Sequence, residues 1–224
     1  QADALGAGKI GFDSGNARSF LIDNLRITTK RPGRAVQVQK QLSDQAAGIL
    51  CEAEAVSFQT APMQAAAILA AYRDGRLAGL SAKQVSLRPN PPDGRSPVPD
   101  RFSLSLAGTQ ADYDEIQLLL WQDLDSLRVL SPLADAGGTV PEKAEHALQV
   151  AAACRSNDVS ISGSLTEGRE REVSLLVLRP GIDPRALDLS GLSEAVLELR
   201  QIPAADDSFA FDFTLKEDAE EGQY

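Results

Sequence analysis

The chain has 224 residues, of which 43% are hydrophobic and 24% are charged. This length fits one large domain or two small ones, each able to bury a core. The formal net charge of −10 disfavours nucleic acid and anionic membranes as partners, because both carry negative charge. No apolar run approaches the roughly 20 residues that span a bilayer. We therefore expect a soluble, acidic protein without a transmembrane segment.

The first sixty residues predict β-strands. Phe20 and Ile22 alternate with polar residues, and the alternation changes phase at Asp23-Asn24, which favours a β-bulge. Apolar residues alternate again near residues 36–38 and from residue 49 to 58. Alternation with a period of two residues is typical of strands that bury one face.

Three helices are predicted in the middle of the chain. Thr60-Ala61-Pro62 is typical of a helix start, and an Ala-rich run continues to Tyr72. A second helix is predicted from about Asp112 to Leu130, with leucines on one face. A third follows the capping-box pattern Thr139-Val140-Pro141-Glu142 and extends an apolar stripe to Cys154.

The remaining segments predict loops and strands. The proline-rich segment 89–99 predicts a loop and a possible boundary within the chain. Val159 and Ile161 are predicted to pair with residues 173–177 in a hairpin. The other predicted strands are Val85 to Leu87, Phe102 to Leu106, Val196 to Ile202 and Phe209 to Leu215. The acidic tail 216–224 is predicted to be flexible.

Strands at both ends of the chain and helices between them favour an α+β fold. The prediction is a single domain over residues 1–224, with a mainly antiparallel sheet and about three helices. The alternative is a subdivision at the proline-rich loop 89–99.

Residues for the common catalytic mechanisms are few. The only histidine, His146, falls on the polar side of the third predicted helix, and the chain has no G-x-S-x-G motif. A triad assembled from distant residues stays open. A carboxylate pair could serve a hydrolase or hold a metal, but helix capping and solvent exposure are the favoured explanation for these acids. The candidates are Asp112, Asp114, Glu115, Asp123, Asp125, Asp206 and Asp207. We predict no catalytic residue, no metal site and no cofactor.

The two cysteines, Cys51 and Cys154, form no C-x-x-C motif, so zinc and redox motifs are absent. Each falls on the apolar side of its predicted element. The two side chains could therefore meet, and we predict a disulfide between them, with two buried thiols as the alternative.

Lys9-Ile10-Gly11-Phe12-Asp13-Ser14-Gly15-Asn16 resembles the first phosphate hairpin of the actin-like ATPase superfamily. Asp135-Ala136-Gly137-Gly138-Thr139 resembles the second phosphate loop of that family. The resemblance implies nucleotide contacts by Asp13, Gly15, Asp135, Gly137 and Gly138. The second loop follows a predicted helix where that family has a strand, so two ordinary turns are the competing interpretation.

Two segments, residues 20–27 and 85–89, have a residue pattern similar to that of strands in periplasmic lipid-transport proteins. We predict a non-catalytic binding, accessory or scaffold subunit of a larger bacterial assembly. Other protein subunits are the expected partners, and an apolar or lipid ligand is possible between sheet and helix. An extracytoplasmic location, periplasmic or secreted, would suit the disulfide. An enzyme that uses carboxylates, or an actin-like ATPase, is the alternative.

Overall fold

The computed structural model describes residues 10–14, 18–22, 26–30, 36–90, 98–131, 148–155, 157–165, 172–183, 186–204 and 208–215. Strands make up most of these residues. The one α-helix among them, α1 (Leu192–Ala195), has four residues, and Gln110–Asp112 forms a single 3-10 turn. The predicted α+β fold with about three helices is therefore wrong, because the described chain is nearly all β-sheet. None of its helices has the length and apolar character to cross a membrane.

Fifteen strands are described, and every strand pairing among them is antiparallel. The first eight are β1 (Ile10–Ser14), β2 (Arg18–Ile22), β3 (Arg26–Lys30), β4 (Val36–Gln45), β5 (Gly48–Ser57), β6 (Met63–Arg73), β7 (Arg76–Leu87) and β8 (Asp100–Leu106). The other seven are β9 (Glu115–Trp121), β10 (Val129–Ser131), β11 (Leu148–Arg155), β12 (Asp158–Leu165), β13 (Glu172–Leu178), β14 (Val196–Pro203) and β15 (Ser208–Thr214).

Four sheets and one hairpin contain these strands. We name the sheets by strand order: sheet I is β4-β5-β8, sheet II is β10-β9-β6-β7, sheet III is β14-β13-β3 and sheet IV is β11-β12-β15. Strands β1 and β2 form a separate hairpin, which lies beside β11. The predicted pairing of residues 159–161 with 173–177 is wrong, because β12 pairs with β11 and β15, whereas β13 pairs with β14 and β3.

Three apolar cores separate the four sheets, so the sheets are stacked in layers. Core 1 lies between sheets I and II, core 2 between sheets II and III, and core 3 between sheets III and IV. Sheets I and II thus form a first β-sandwich, and sheets III and IV form a second. The two sandwiches pack back to back through core 2, to which α1 contributes Leu192.

Strand β6 lies between cores 1 and 2 and is buried on both faces. Its residues from Ala65 to Tyr72 are all buried, and they alternate between the two cores. The prediction of a helix over this segment is wrong. Alanine has the highest intrinsic helix propensity, but packing between two sheets outweighs that preference. Asp74 and Gly75 then turn the chain into β7 with φ angles of 51° and 72°, as a two-residue hairpin turn requires.

Strand β13 is the corresponding strand of the second sandwich. All seven of its residues are buried. Val173, Leu175 and Val177 face core 3, whereas Leu176 and Leu178 face core 2. A strand buried on both faces has a continuous apolar sequence, and Leu175 to Leu178 follow that pattern.

The other two predicted helices are corrected as well. The segment from Asp112 to Leu130 contains β9, a turn around Ser126 and β10, not a helix. The first part of the third predicted helix, residues 139–147, lies outside the described residues. Its last part, Leu148 to Cys154, belongs to strand β11.

Side-chain contacts close the first sandwich along both edges. Lys40 of β4 donates from Nζ to the carbonyl oxygen of Ile116 in β9, at 2.7 Å. On the opposite edge, Lys83 of β7 donates to the carbonyl oxygen of Ser103 in β8, at 3.3 Å. Arg88, which follows β7, binds the Asp100 carboxylate through Nε at 2.6 Å. This ion pair joins the two ends of the proline-rich loop, of which residues 91–97 lie outside the described residues.

Candidate binding groove

An open groove lies at one end of the second sandwich, where sheet IV meets the end of β14. Its volume is about 800 Å³. Four strands and their ends contribute the lining residues: Val150, Ala151, Ser162, Gly163, Ser164, Ile202, Pro203, Ser208, Phe209 and Ala210.

A glycine in the middle strand of sheet IV helps to form the groove. Strand β12 alternates Val159, Ile161 and Gly163 on its inner face with serines on its outer face. Gly163 pairs with Val150 on one side and with Phe209 on the other. Because glycine has no side chain, this cross-strand row has a gap where core 3 reaches the end of the sheet.

The groove combines an apolar floor with a hydroxyl rim. Val150 and Ile202 are half-buried and Phe209 is buried, whereas the serines at 162, 164 and 208 are exposed. None of the lining residues carries an ionisable side chain. The groove therefore offers apolar contact area and neutral hydrogen-bonding groups.

The outer face of sheet IV continues from the groove, and the two rows nearest the groove carry mainly small side chains. One cross-strand row is Ala151, Ser162 and Ala210, and the next is Ala153, Ser160 and Asp212. All six residues are exposed. The outer face of sheet I differs, because it includes a row of long side chains. There Gln39, Glu54 and Arg101 form one row, in which Arg101 Nε lies 2.8 Å from Glu54 Oε1.

Two buried polar clusters lie between the sandwiches, away from the groove. In the first, Trp121 donates from Nε1 to Gln201 Oε1 at 2.7 Å, and Gln201 Nε2 donates to the Glu172 carboxylate. These contacts join β9 to β13 and β14 across core 2. Ser174, which is fully buried nearby on β13, has no hydrogen-bond partner for its hydroxyl group among the described residues.

The second cluster, which we call the hairpin junction, contains Tyr72, Glu198 and Arg200. Glu198 is 1% exposed, and its burial raises the pKa of its carboxyl group although Arg200 Nε lies 3.2 Å away. Burial likewise raises the pKa of the Tyr72 hydroxyl group, which donates to the carbonyl oxygen of Leu199. The Arg200 guanidinium lies over the Tyr72 ring, 4.5 Å from its centroid.

Of the five candidate phosphate-binding residues, the structure describes only Asp13. Asp13 lies in β1, opposite Ser19 of β2. Gly15, Asp135, Gly137 and Gly138 lie outside the described residues, as does His146. The nucleotide site therefore stays a prediction.

The predicted disulfide is absent, because Cys51 is a free and fully buried cysteine. Cys51 faces core 1 from sheet I, whereas Cys154 belongs to β11 of sheet IV, three layers away. The two cysteines therefore lie in different sandwiches. Burial raises the pKa of the Cys51 thiol, and the nearby Lys40 ammonium opposes that shift.

The candidate carboxylates have local structural contacts. Asp112 accepts hydrogen bonds from the amide and the hydroxyl group of Thr109, which hold the pKa of its carboxyl group below the usual range. Asp114 accepts from the amide of Asp74, and Asp123 accepts from the amide of Ser126, both at 2.5 Å. Asp206 and Asp207 lie outside the described residues. Within the described ranges, no group of His, Cys, Asp and Glu residues could hold a metal ion.

Sequence reasoning did not find the groove. The signal was Gly163, an isolated glycine within the alternation of β12, which often marks a close approach or a gap in a strand. The sequence pattern predicts the wrong neighbour for β12, so it does not give the pairing partners of that glycine.

Comparison with known proteins gives no relative: no family model, no curated protein and no solved structure matches the chain.

Proposed function

We propose that this chain is a non-catalytic binding protein that contacts another protein through the groove and the outer face of sheet IV. The observation that carries the proposal is the groove lining, which has an apolar floor, a hydroxyl rim and no ionisable side chain. Such a surface suits binding by apolar anchoring and hydrogen bonding. It offers no group for general acid or base chemistry.

A protein fits this surface better than a small molecule. Small-molecule sites surround most of their ligand, whereas this groove is open and continues onto a face of small, exposed residues. An open groove beside a flat face can accommodate an anchor residue together with the surface around it.

The edge of sheet IV suggests how the partner binds. In the order of the described strands, β15 is an edge strand, and its pairing with β12 is regular over seven residues. Strands at sheet edges usually carry Lys, Pro or a bulge that prevents pairing with other chains. The β15 sequence Ser-Phe-Ala-Phe-Asp-Phe-Thr has none of these, and its only charged residue is the exposed Asp212. We therefore propose that an extended segment of the partner adds to β15 and places an apolar residue in the groove.

The test uses arginine substitutions on two faces of the protein. Ser162→Arg combined with Ala210→Arg places two large cations beside the groove. Ser103→Arg combined with Ser105→Arg places the same charge on the outer face of sheet I, where both residues are also exposed. Each tagged protein is crosslinked in an extract of the source organism and purified, and the bound proteins are identified by mass spectrometry.

The proposal predicts a partner that is captured by the original protein and by the sheet I variant, but not by the sheet IV variant. Equal capture by both variants would contradict it. A small apolar molecule bound by the purified protein, detected by native mass spectrometry and lost in the sheet IV variant, would also contradict a protein occupant.

The extracytoplasmic location stays a prediction, and its support is weaker because the disulfide is absent. Cell fractionation with an antibody against the chain tests it directly, and recovery in the cytoplasmic fraction would contradict it.

A further inference from the structure

The hairpin junction fixes the β6–β7 hairpin of the first sandwich on β14 of the second. The backbone amide of Leu77 donates to Glu198 Oε2 at 3.3 Å, and Arg200 Nη2 donates to the carbonyl oxygen of Gly75 at 2.6 Å. Tyr72 donates to the carbonyl oxygen of Leu199. Three side chains thus form hydrogen bonds with backbone groups across the boundary between the sandwiches. In each of these bonds the two residues are more than 120 positions apart in the chain.

Glu198 is the titratable group at the centre of this junction. Its carboxylate accepts hydrogen bonds from Leu77, from the amide of Leu199 and from Arg200 Nε. Two charged or titratable groups face Glu198: Arg200 on its own strand and Tyr72 on β6. The negative charge of Glu115 on β9 raises the pKa of Tyr72. Arg200 is partly open to solvent, with 18% of its side chain exposed, whereas the Glu198 side chain is 1% exposed.

We propose that the protonation state of Glu198 controls how firmly the β6–β7 hairpin is held on the second sandwich. A protonated Glu198 carries no buried charge and keeps one carbonyl oxygen for the Leu77 amide, but its hydroxyl oxygen accepts more weakly from Leu199 and Arg200. An ionised Glu198 retains the hydrogen bonds but must keep a carboxylate out of water, with Arg200 as its only close cation among the described residues.

The direction of the effect follows from the raised pKa of Glu198 in the folded protein. The unfolded chain has the ordinary glutamate pKa of about 4.3. The contribution of Glu198 to stability is therefore complete below about that pH. This contribution is lost as the pH rises through the pKa of Glu198 in the folded protein, because Glu198 ionises more readily in the unfolded chain. We expect the junction to open more often at neutral pH than at acidic pH.

The test compares the original chain with Glu198→Gln, which keeps the shape and a carbonyl acceptor but does not titrate. Hydrogen exchange of the Leu77 amide is measured in dilute protein across a series from about pH 4 to about pH 8, and the rates are corrected for intrinsic exchange. Glu52→Gln is the matched control, because Glu52 is exposed on sheet I.

The proposal predicts that Leu77 protection falls with rising pH in the original chain and in Glu52→Gln. The fall should be about tenfold for each unit by which the folded pKa of Glu198 exceeds its unfolded value. In Glu198→Gln, Leu77 protection should stay constant. A pH-dependent loss of Leu77 protection that persists in Glu198→Gln would overturn the proposal, as would constant protection in the original chain. If exchange at Leu77 is too slow to measure, the thermal midpoint of each variant over the same pH series gives the same comparison.

Discussion

Strands β6 and β13 occupy equivalent positions in the two sandwiches, yet their sequences differ. Each is buried on both faces and separates core 2 from the core of its own sandwich. Strand β6 fills this position mainly with alanine, whereas β13 uses leucine and valine together with the polar Glu172 and Ser174. The difference teaches that burial on both faces does not fix side-chain size, because the neighbouring sheets supply the complementary volume. Substitutions that alter volume or polarity in these strands therefore test the comparison.

The largest effect is expected when a large buried side chain of β13 is truncated. Leu175 is fully buried in core 3, and Leu175→Ala should reduce the free energy of unfolding by about 2–5 kcal/mol. Denaturant unfolding measures this loss, and Ser160→Ala on the exposed face of β12 is the control. A loss below about 1 kcal/mol would show that β13 does not separate two packed cores.

A smaller loss is expected when β6 is enlarged. Ala67 is fully buried in core 1, opposite Lys83 and Leu120, and Ala67→Leu adds three carbon atoms to a closely packed position. The free energy of unfolding should fall by about 1–3 kcal/mol. Gln84→Leu, at an exposed position of β7, is the control for added apolar surface. If Ala67→Leu stabilises the protein, β6 lies beside an empty space and the comparison with β13 is wrong.

The smallest effect is expected at a buried hydroxyl group of β13. Ser174→Ala removes a polar group that has no hydrogen-bond partner in the part of the chain that the structure describes. Stability should be unchanged or should rise by up to about 1 kcal/mol, because the desolvation cost of the hydroxyl group disappears. Thermal unfolding measures this change, with Ser160→Ala as the control. A clear loss of stability in Ser174→Ala would contradict the prediction, because it would mean that a water molecule or another group forms a hydrogen bond with Ser174.

Alternation with a period of two predicted several strands correctly. Strands β5, β8, β14 and β15 lie where the apolar pattern places them, since each carries a recognisable apolar set with that period. The hydrophobic face of β15, with Phe209, Phe211 and Phe213, does pack into a core. The local sequence pattern was sufficient to predict these strands, because successive side chains of a strand point to opposite faces.

Strand β6 could not be predicted from composition alone. An Ala-rich run has the same local preference whether it becomes a helix or a strand between two sheets, and the distant sheets decide. One local signal favours a strand here: Asp74-Gly75 is a typical two-residue hairpin turn, and it connects β6 to β7. The leucines of β9 and β10 have spacings that fit a helix, so the period was ambiguous there.

The candidate groove depends on pairings between distant strands, so the sequence could not supply it. Val150, Gly163 and Phe209 form one cross-strand row only because β12 lies between β11 and β15. The hairpin junction likewise joins β6 and β7 to β14. Pairing of this kind depends on the packing of the whole chain, whereas turn and strand signals are local.

The central claim is that the Ala-rich segment from Ala65 to Ala71 is a strand buried on both faces, which joins the two sandwiches. Backbone NMR of the labelled protein tests it most directly through the Cα and Cβ chemical shifts and the amide exchange rates of these residues. The account predicts strand-type shifts at every position and amide exchange among the slowest in the chain. Helix-type shifts over the alanines, or rapid exchange of their amides, would contradict it.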